Sequence, residues 1–308
     1  MQPAPLYDRV AEAPKGGHAY WIKTSDEVRL RVALWPAGRK GLVILFPGRT
    51  EFIEKYGRAV GDLQRRGYAC AAVDWRGQGL SDRLVPNRQL GHVNDFLDYQ
   101  LDATAFTKFL SDRDLPTRWH LCAHSMGGTI GLRALHNGLG VIRPVFSAPL
   151  WGLLIDPIMR PIIQAIAAGT KSAGWGAEFA PGTNPENYIL SHGFEDNSLT
   201  SDADTFAFIK RQIIENPGLA IGGPSIHWLY EALAETRALS KMDAPDYETM
   251  CLLGNDEKVV DKRDVVQHLM NWPSSRLEMI KGARHEVMME TAPIRKNAFD
   301  LMDAFWSA

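Results

Sequence analysis

Two apolar rhythms alternate along the chain. Gly41 to Phe46 (GLVILF), Tyr68 to Trp75, Val141 to Phe146, Met250 to Leu253 and Arg276 to Ile280 read as strands. Unbroken apolar runs such as GLVILF suit strands buried on both faces. Between them, apolar residues recur at helical spacing. One helix runs to about Arg66 on Phe52, Tyr56, Val60 and Leu63, with Gly67 as its stop. Another spans Asn94 to about Asp112 with Phe96, Phe106 and Phe109. Others carry Ile130, Leu132 and Leu135, lie near Val265 to Met270, and close the chain over Ile294 to Trp306. His18 to Ile22 and Val28 to Leu34 alternate as a hairpin around Ser25-Asp26-Glu27. Strands alternating with helices predict an α/β fold, a mostly parallel sheet with helices on both faces.

After Pro149 the alternation stops. Leu150 to about Arg237 holds helical segments and loops without a convincing strand. Among them are Asp202 to Glu215, with Ser201 as its expected N-cap and Asp204 three residues on, and Ile226 to Leu239. The alternation resumes at Met250. The expected division is therefore a core over 1–149 and 238–308, interrupted by a mainly helical cap over 150–237.

The candidate chemistry sits where the helical rhythm first follows a short apolar strand, in His120 to Leu135, HLCAHSMGGTIGLRAL. A strand turning sharply into a helix exposes the residue at the turn, here Ser125. Its hydroxyl then lies at a helix N-terminus, where backbone N–H groups stabilise an oxyanion. Ala123 and Gly127 are small, as crossing that turn requires. One oxyanion donor is expected to be the N–H of Met126. The other should come from the loop after GLVILF, where Gly48 permits close approach and Arg49 supplies the N–H. The serine needs a base. Of nine histidines, His285, in Gly282-Ala283-Arg284-His285-Glu286, falls between the last strand and the last helix, where the base is expected. His18, His92, His136, His192, His227 and His268 read as surface or satisfied core groups. His124 is held too tightly by the turn to be the base.

Composition narrows the class. The chain has 308 residues, 45% of them hydrophobic and 23% charged, as in a soluble globular protein. A net charge of -2 gives no case for nucleic acid. The N-terminal stretch lacks the apolar core of a signal peptide, and Leu150 to Ala168 is broken by Asp156, Pro157, Arg160 and Pro161, so a cytoplasmic location is expected. Cys70, Cys122 and Cys251 read as buried free thiols. No spacing reads as a metal ligand set, and no cofactor is expected.

With these motifs in order, the chain resembles the serine-hydrolase branch of the α/β-hydrolases that contains bacterial lysophospholipases and monoglyceride lipases. Phe46 to Glu51 looks like that branch's oxyanion loop, with Pro47 where many members have His. Asp74 to Ser81 looks like its D-x-R-G-x-G-x-S loop. Ala123 to Gly127 looks like its nucleophile elbow with Ala123 for the first Gly, and Gly282 to Glu286 like its histidine loop. Asn197 to Asp202 and Gly222-Gly223-Pro224 look like the lysophospholipase-like members. The resemblance implies an α/β-hydrolase fold and a carboxylic-ester hydrolase acting through an acyl-enzyme. Its substrate would be a single-chain lipid ester, a lysophospholipid first and a monoacylglycerol second. A peptidase on the same fold and a non-catalytic binder are the rival classes.

The resemblance also bears on the acid. In the family the loop reads G-x-x-D-x-x-V, and counting from Gly254 puts the acid at Glu257, with Val260 as the closing valine. The usual residue type favours Asp256 instead. The offset outweighs the type, so Glu257 is the expected acid and Asp256 the alternative. Leu153, Leu154, Ile155, Ile158, Ile162 and Ile163 are expected either to line an acyl pocket or merely to pack the cap onto the core. Transient contact with a membrane surface is expected through the cap. The Arg49 side chain is expected in a surface ion pair with Glu51, the alternative being the phosphate of a lysophospholipid.

Overall fold

Every side chain of Leu42–Phe46 is buried. Leu42, Ile44 and Phe46 belong to one core, Val43 and Leu45 to another. That is the physical content of the unbroken apolar run: strand periodicity sends alternate residues to opposite faces, and both faces are covered.

The computed structural model describes residues 2–154 and 176–308. In chain order it contains β1 (Gln2–Ala4), α1 (Asp8–Ala11), β2 (His18–Lys23), β3 (Arg29–Trp35), β4 (Leu42–Phe46), a 3-10 turn (Ile53–Tyr56) leading into α2 (Gly57–Arg65), β5 (Ala69–Asp74), α3 (Asp98–Ser111), β6 (Trp119–His124), α4 (Met126–His136) and β7 (Val145–Ser147). Then come α5 (Tyr188–Ser191), α6 (Ala203–Glu215), α7 (Ile226–Leu239), β8 (Thr249–Gly254), α8 (Lys262–Met270), β9 (Ser275–Ile280) and α9 (Ala292–Ser307).

The strands form one sheet in the order β1-β2-β3-β5-β4-β6-β7-β8-β9. The first three strands join antiparallel, and every pairing from β5 to β9 is parallel. After β4 the chain steps to one side for β5, then returns to the other side for β6. Strand order thus reverses at β4 and β6, and a crevice opens beyond their carboxyl ends. Phe46 at the end of β4 is in register with Ala123 on β6. The loop after β4 and the turn after β6 therefore meet there.

One core face is covered by α3, α4, α7 and α8, through residues such as Phe106, Ile130, Trp228 and Val265. The other is covered by α2, α6 and α9, through Val60, Ile209 and Phe299. Gln212 on α6 donates to Val10 O and Glu54 O at 2.8 and 2.9 Å, tying α6 to the N-terminal segment. Among the described residues no helix is long and apolar enough to cross a membrane.

Three local expectations are corrected. The strand expected over Val141 to Phe146 begins only at Val145, because Arg143 has φ 49° and Pro144 has no N–H to offer a ladder. The helix expected from Asn94 starts at Asp98: the Asp95 carboxylate accepts from Leu97 N at 2.8 Å and closes a local turn first. The α6 N-cap is Asp202, whose side chain accepts from Asp204 N, while the Ser201 hydroxyl goes to Glu290.

Candidate active site

At the end of β6 the chain turns into α4 through Ser125, whose backbone has φ 50° and ψ −120°. A non-glycine residue held there costs about 1–3 kcal/mol, supplied by the surrounding packing. The turn needs bare backbone beside it. A Cβ on Gly127 would lie 2.1 Å from Phe46 O, and one on Gly128 would lie 2.5 Å from the Pro149 Cβ. The methyl of Ala123 fits because it faces a glycine of α4, where a Cβ at Gly131 would already come within 3.2 Å of it.

The loop after β4 is held from two sides. Glu51 accepts from Gly48 N, while Gln78 accepts from Thr50 N at 2.8 Å and donates to Gly48 O at 3.1 Å. Arg49, between these two anchored peptides, lies with Ser125 on one cavity. A Cβ on Gly48 would sit 3.0 Å from the Ser125 Cβ, so glycine is what lets this loop approach the serine. Gln78 was not singled out in the sequence, since it occupies a variable position of its motif. The loop that carries it is itself folded around Asp74, which accepts from Ile53 N, Leu80 N and Arg31.

The loops after β8 and β9 come together because Gly254 has no side chain: a Cβ there would strike Arg284 O at 2.3 Å. His285 Nδ1 then lies 2.8 Å from Glu257 Oε2. The other oxygen of Glu257 accepts from Val259 N at 2.5 Å and Val260 N at 3.1 Å. Burial works to raise the Glu257 pKa, but the bonds from His285 and the two amides outweigh it and hold the carboxyl below its ordinary range. Asp256 is half exposed, 3.0 Å from Lys258 and 3.7 Å from Arg284, and it turns away from the imidazole. Asn197 to Ser201 braces the histidine loop: Leu199 O accepts from Glu286 N at 2.8 Å, and Arg284 donates to Asn197 O and Thr200 O.

Beneath the serine lies a buried ionic network that local sequence pattern does not reveal. Lys55 donates to Glu51 and to Glu286, and Tyr56 donates to Glu51 at 2.6 Å. His124 Nδ1 donates to Ser147 O at 3.0 Å, and its Nε2 is 3.3 Å from Glu286 and 3.6 Å from Glu51. Burial would lower the His124 pKa, but the Glu286 and Glu51 carboxylates raise it above the ordinary imidazole value. Burial would raise Glu286, but Lys55 and His124 hold it well below the carboxylate range. Two carboxylates thus face the Lys55 ammonium and an imidazole whose charged form they favour. The expected surface pair between Arg49 and Glu51 is corrected, because Glu51 is buried and taken by Lys55, Tyr56 and Gly48 N. Glu51, His124 and Glu286 also bring ligand-type atoms within 4.8 Å of one another. The Lys55 ammonium already bonds both carboxylates, which makes this an ammonium site rather than a fit for a metal ion. The His124 ring lies 4.7 Å from that of His285.

Ser125, His285 and Arg49 share a cavity of about 650 Å³ whose walls include Leu150, Leu153, Leu154 and Trp228. Leu153 and Leu154 thus lie on the cavity; Ile155, Ile158, Ile162 and Ile163 lie outside the described residues.

The sheet, the strained turn after β6 and the strand-order reversal define an α/β-hydrolase, an enzyme of the hydrolase class. More particularly, residues 37–292 match the family described as serine aminopeptidase S33, and the chain belongs to that family. It is 30% identical over 267 residues to a probable lysophospholipase L2 of Haemophilus influenzae, covering 86% of this chain and 83% of the relative. It is 31% identical over 278 residues to lysophospholipase L2 of Escherichia coli K12, covering 86% and 80%. Among solved structures it is similar to a soluble variant of monoglyceride lipase from Saccharomyces cerevisiae bound to a substrate analogue (TM-score 0.71, 20% identity, 92% of this chain and 93% of that one). It is also similar to a monoacylglycerol lipase from Paleococcus ferrophilus (TM-score 0.69, 16% identity, 90% and 98%). At these identities the structural likenesses establish the fold.

Proposed function

We propose that the protein hydrolyses single-chain lipid esters through an acyl-enzyme on Ser125, with lysophospholipids as its first substrate and monoacylglycerols as its second. The observation that carries this reading is the sharing of one largely apolar-walled cavity by Ser125 and by His285, whose Nδ1 is bonded to Glu257 at 2.8 Å. Glu257 keeps the Nδ1 proton in place, so Nε2 is free to accept one. The Ser125 hydroxyl attacks the ester carbonyl as His285 takes its proton, and the N–H groups of Arg49 and Met126 receive the negative charge that develops on oxygen. His285 then protonates the departing glycerol oxygen. Water, deprotonated by the same imidazole, releases the fatty acid.

The names of the relatives from H. influenzae and E. coli support a lysophospholipid, and the monoglyceride lipase neighbours fit the same substrate class. The family's description favours a second reading, an aminopeptidase. A peptidase needs carboxylates free to bind an α-amino group. Among the described residues lining the cavity the acids are Glu51 and Glu286, and both are engaged by Lys55. We divide the chain into a core over 1–149 and 238–308 and a cap over 150–237. Leu154 and Val259, exposed on the cavity, are where we set contact with a lipid surface. A reducing, cytoplasmic setting suits the three buried free thiols.

The test is turnover by the purified protein of lysophosphatidylcholine, monoacylglycerol and an aminoacyl amide. The reading expects fatty acid from the first two and no cleavage of the third. Amide cleavage without ester cleavage would replace it with the aminopeptidase.

A further inference from the structure

Among the described residues, the cavity contains one cation that no carboxylate neutralises. Three Lys or Arg side chains lie among its described lining residues. Lys55 is bonded to Glu51 and Glu286, and Lys258 lies 3.0 Å from Asp256. Arg49 has no carboxylate within 4.0 Å among the described residues. Its one described hydrogen bond runs from Nη1 to Gly222 O at 3.0 Å, and its guanidinium lies 5.5 Å from the centre of the Trp228 ring. A guanidinium carries five N–H donors in a planar fork, so most of this one is unspent. Burial brings its pKa down to about 10, which leaves it charged at neutral pH.

The bond to Gly222 does not explain the residue. The segment it touches is already strapped by backbone bonds: Gly222 N to Gln89 O at 2.7 Å, Gly91 N to Gly223 O at 3.0 Å and Ser225 N to Gly91 O at 2.8 Å. A residue needed only to tether the cap would be redundant there. The position matters more. Gly48, its neighbour, comes within Cβ-contact distance of Ser125, so the Arg49 backbone lies beside the reacting serine while its side chain lines the same cavity. In a lysophospholipid the phosphate stands one glycerol backbone from the scissile ester, a span that an extended arginine side chain matches.

We propose that Arg49 determines headgroup preference: its guanidinium binds the phosphodiester of a lysophospholipid while its own N–H faces the oxyanion of the same molecule. This rests on the reading of the protein as a lipid-ester hydrolase. The planar fork can bond two phosphate oxygens at once, which an ammonium cannot do. A neutral monoacylglycerol presents nothing to it.

The experiment compares wild type, Arg49→Gln and Arg49→Lys on lysophosphatidylcholine and on monoacylglycerol of the same acyl chain, with thermal melts to check folding. Arg49→Gln is expected to lower kcat/KM on the phospholipid at least about tenfold more than on the monoacylglycerol, with Arg49→Lys in between. Equal losses on the two substrates, with the fold intact, would overturn the proposal and leave Arg49 a structural residue. Equilibrium binding decides the matter without turnover. Wild type should bind the ether analogue of lysophosphatidylcholine more tightly than the glycerol monoether of the same chain, and Arg49→Gln should erase the difference; a preference that survives would overturn the proposal. If wild type cleaves neither ester, the functional reading falls, and this binding arm still decides Arg49. Glycerophosphocholine and inorganic phosphate, tried separately as inhibitors, identify the source of the anion. Inhibition by the diester that Arg49→Gln removes supports the headgroup, whereas inhibition by inorganic phosphate alone makes it a free-phosphate site and overturns the headgroup assignment.

Discussion

Replacing Glu257 by Gln changes one atom, and the geometry says what that atom will do. Glu257 Oε1 accepts from two backbone amides, Val259 N and Val260 N. The glutamine carbonyl must take that place, because its NH2 would set donor against donor. The NH2 then faces His285 Nδ1, which Glu257 Oε2 now meets at 2.8 Å. To accept that bond Nδ1 must lose its proton, so the neutral imidazole carries its proton on Nε2 and cannot accept one from Ser125. A carboxylate-to-amide swap that imposes the wrong tautomer costs on the order of 10⁴ in kcat where the rest of a triad is intact. We expect a loss of about 10²–10⁴, or roughly 3–5.5 kcal/mol of barrier. Asp256→Asn should cost little, since Asp256 points to Lys258 and Arg284. The assay is kcat on a soluble ester for both variants, with circular dichroism to confirm the fold. A severe loss in Asp256→Asn beside near-normal Glu257→Gln would reverse the assignment.

Two further outcomes follow from the buried network. Lys55→Met leaves Glu51 and Glu286 without their shared ammonium, and breaking a buried pair from one side costs about 3–5 kcal/mol; a thermal melt should show Tm lower by on the order of 10 °C, and an unchanged Tm would refute the charge balance drawn here. For pH, His124 is raised in the folded state, so its contribution is complete below the ordinary imidazole pKa and is lost as pH rises through the raised value. Glu286 and Glu257 are depressed, so theirs is complete above the ordinary carboxylate range and is lost as pH falls through their lowered values. Denaturant titrations across pH should therefore show stability declining as pH rises above the ordinary imidazole value, and His124→Gln should remove that decline; a decline that persists in the variant would assign it elsewhere.

The fold was legible because its central strands are buried on both faces, and an unbroken apolar run, as in GLVILF, suits that. Boundaries were read less well wherever a polar side chain or a proline overrode the apolar rhythm, as at Asp95, Pro144 and Asp202. At the candidate site, Ser125 and His285 were legible because each occupies a loop after a strand in a fixed order; that order left Asp256 and Glu257 side by side, and only the offset from Gly254 in the resembling family favoured Glu257. The network beneath them was not legible. Lys55 and Glu286 meet across 231 positions of sequence, and a charge that is neutralised by a distant partner looks, locally, like any surface charge. Arg49 was misread for the same reason in reverse. Glu51 stands two residues away with the complementary charge, yet the turn at Thr50 has φ 65° and Glu51 is taken by Lys55, Tyr56 and Gly48 N.

The central claim is that Ser125 carries the acyl group. A fluorophosphonate probe added to the purified protein, followed by digestion and mass spectrometry, locates the modified residue, and residual ester hydrolysis is measured on the same samples. We expect one label per chain, on Ser125, with activity lost in proportion to labelling and both absent in Ser125→Ala. Labelling of another residue in step with the loss of activity, or a folded Ser125→Ala protein that still cleaves the ester at near wild-type rate, would contradict it.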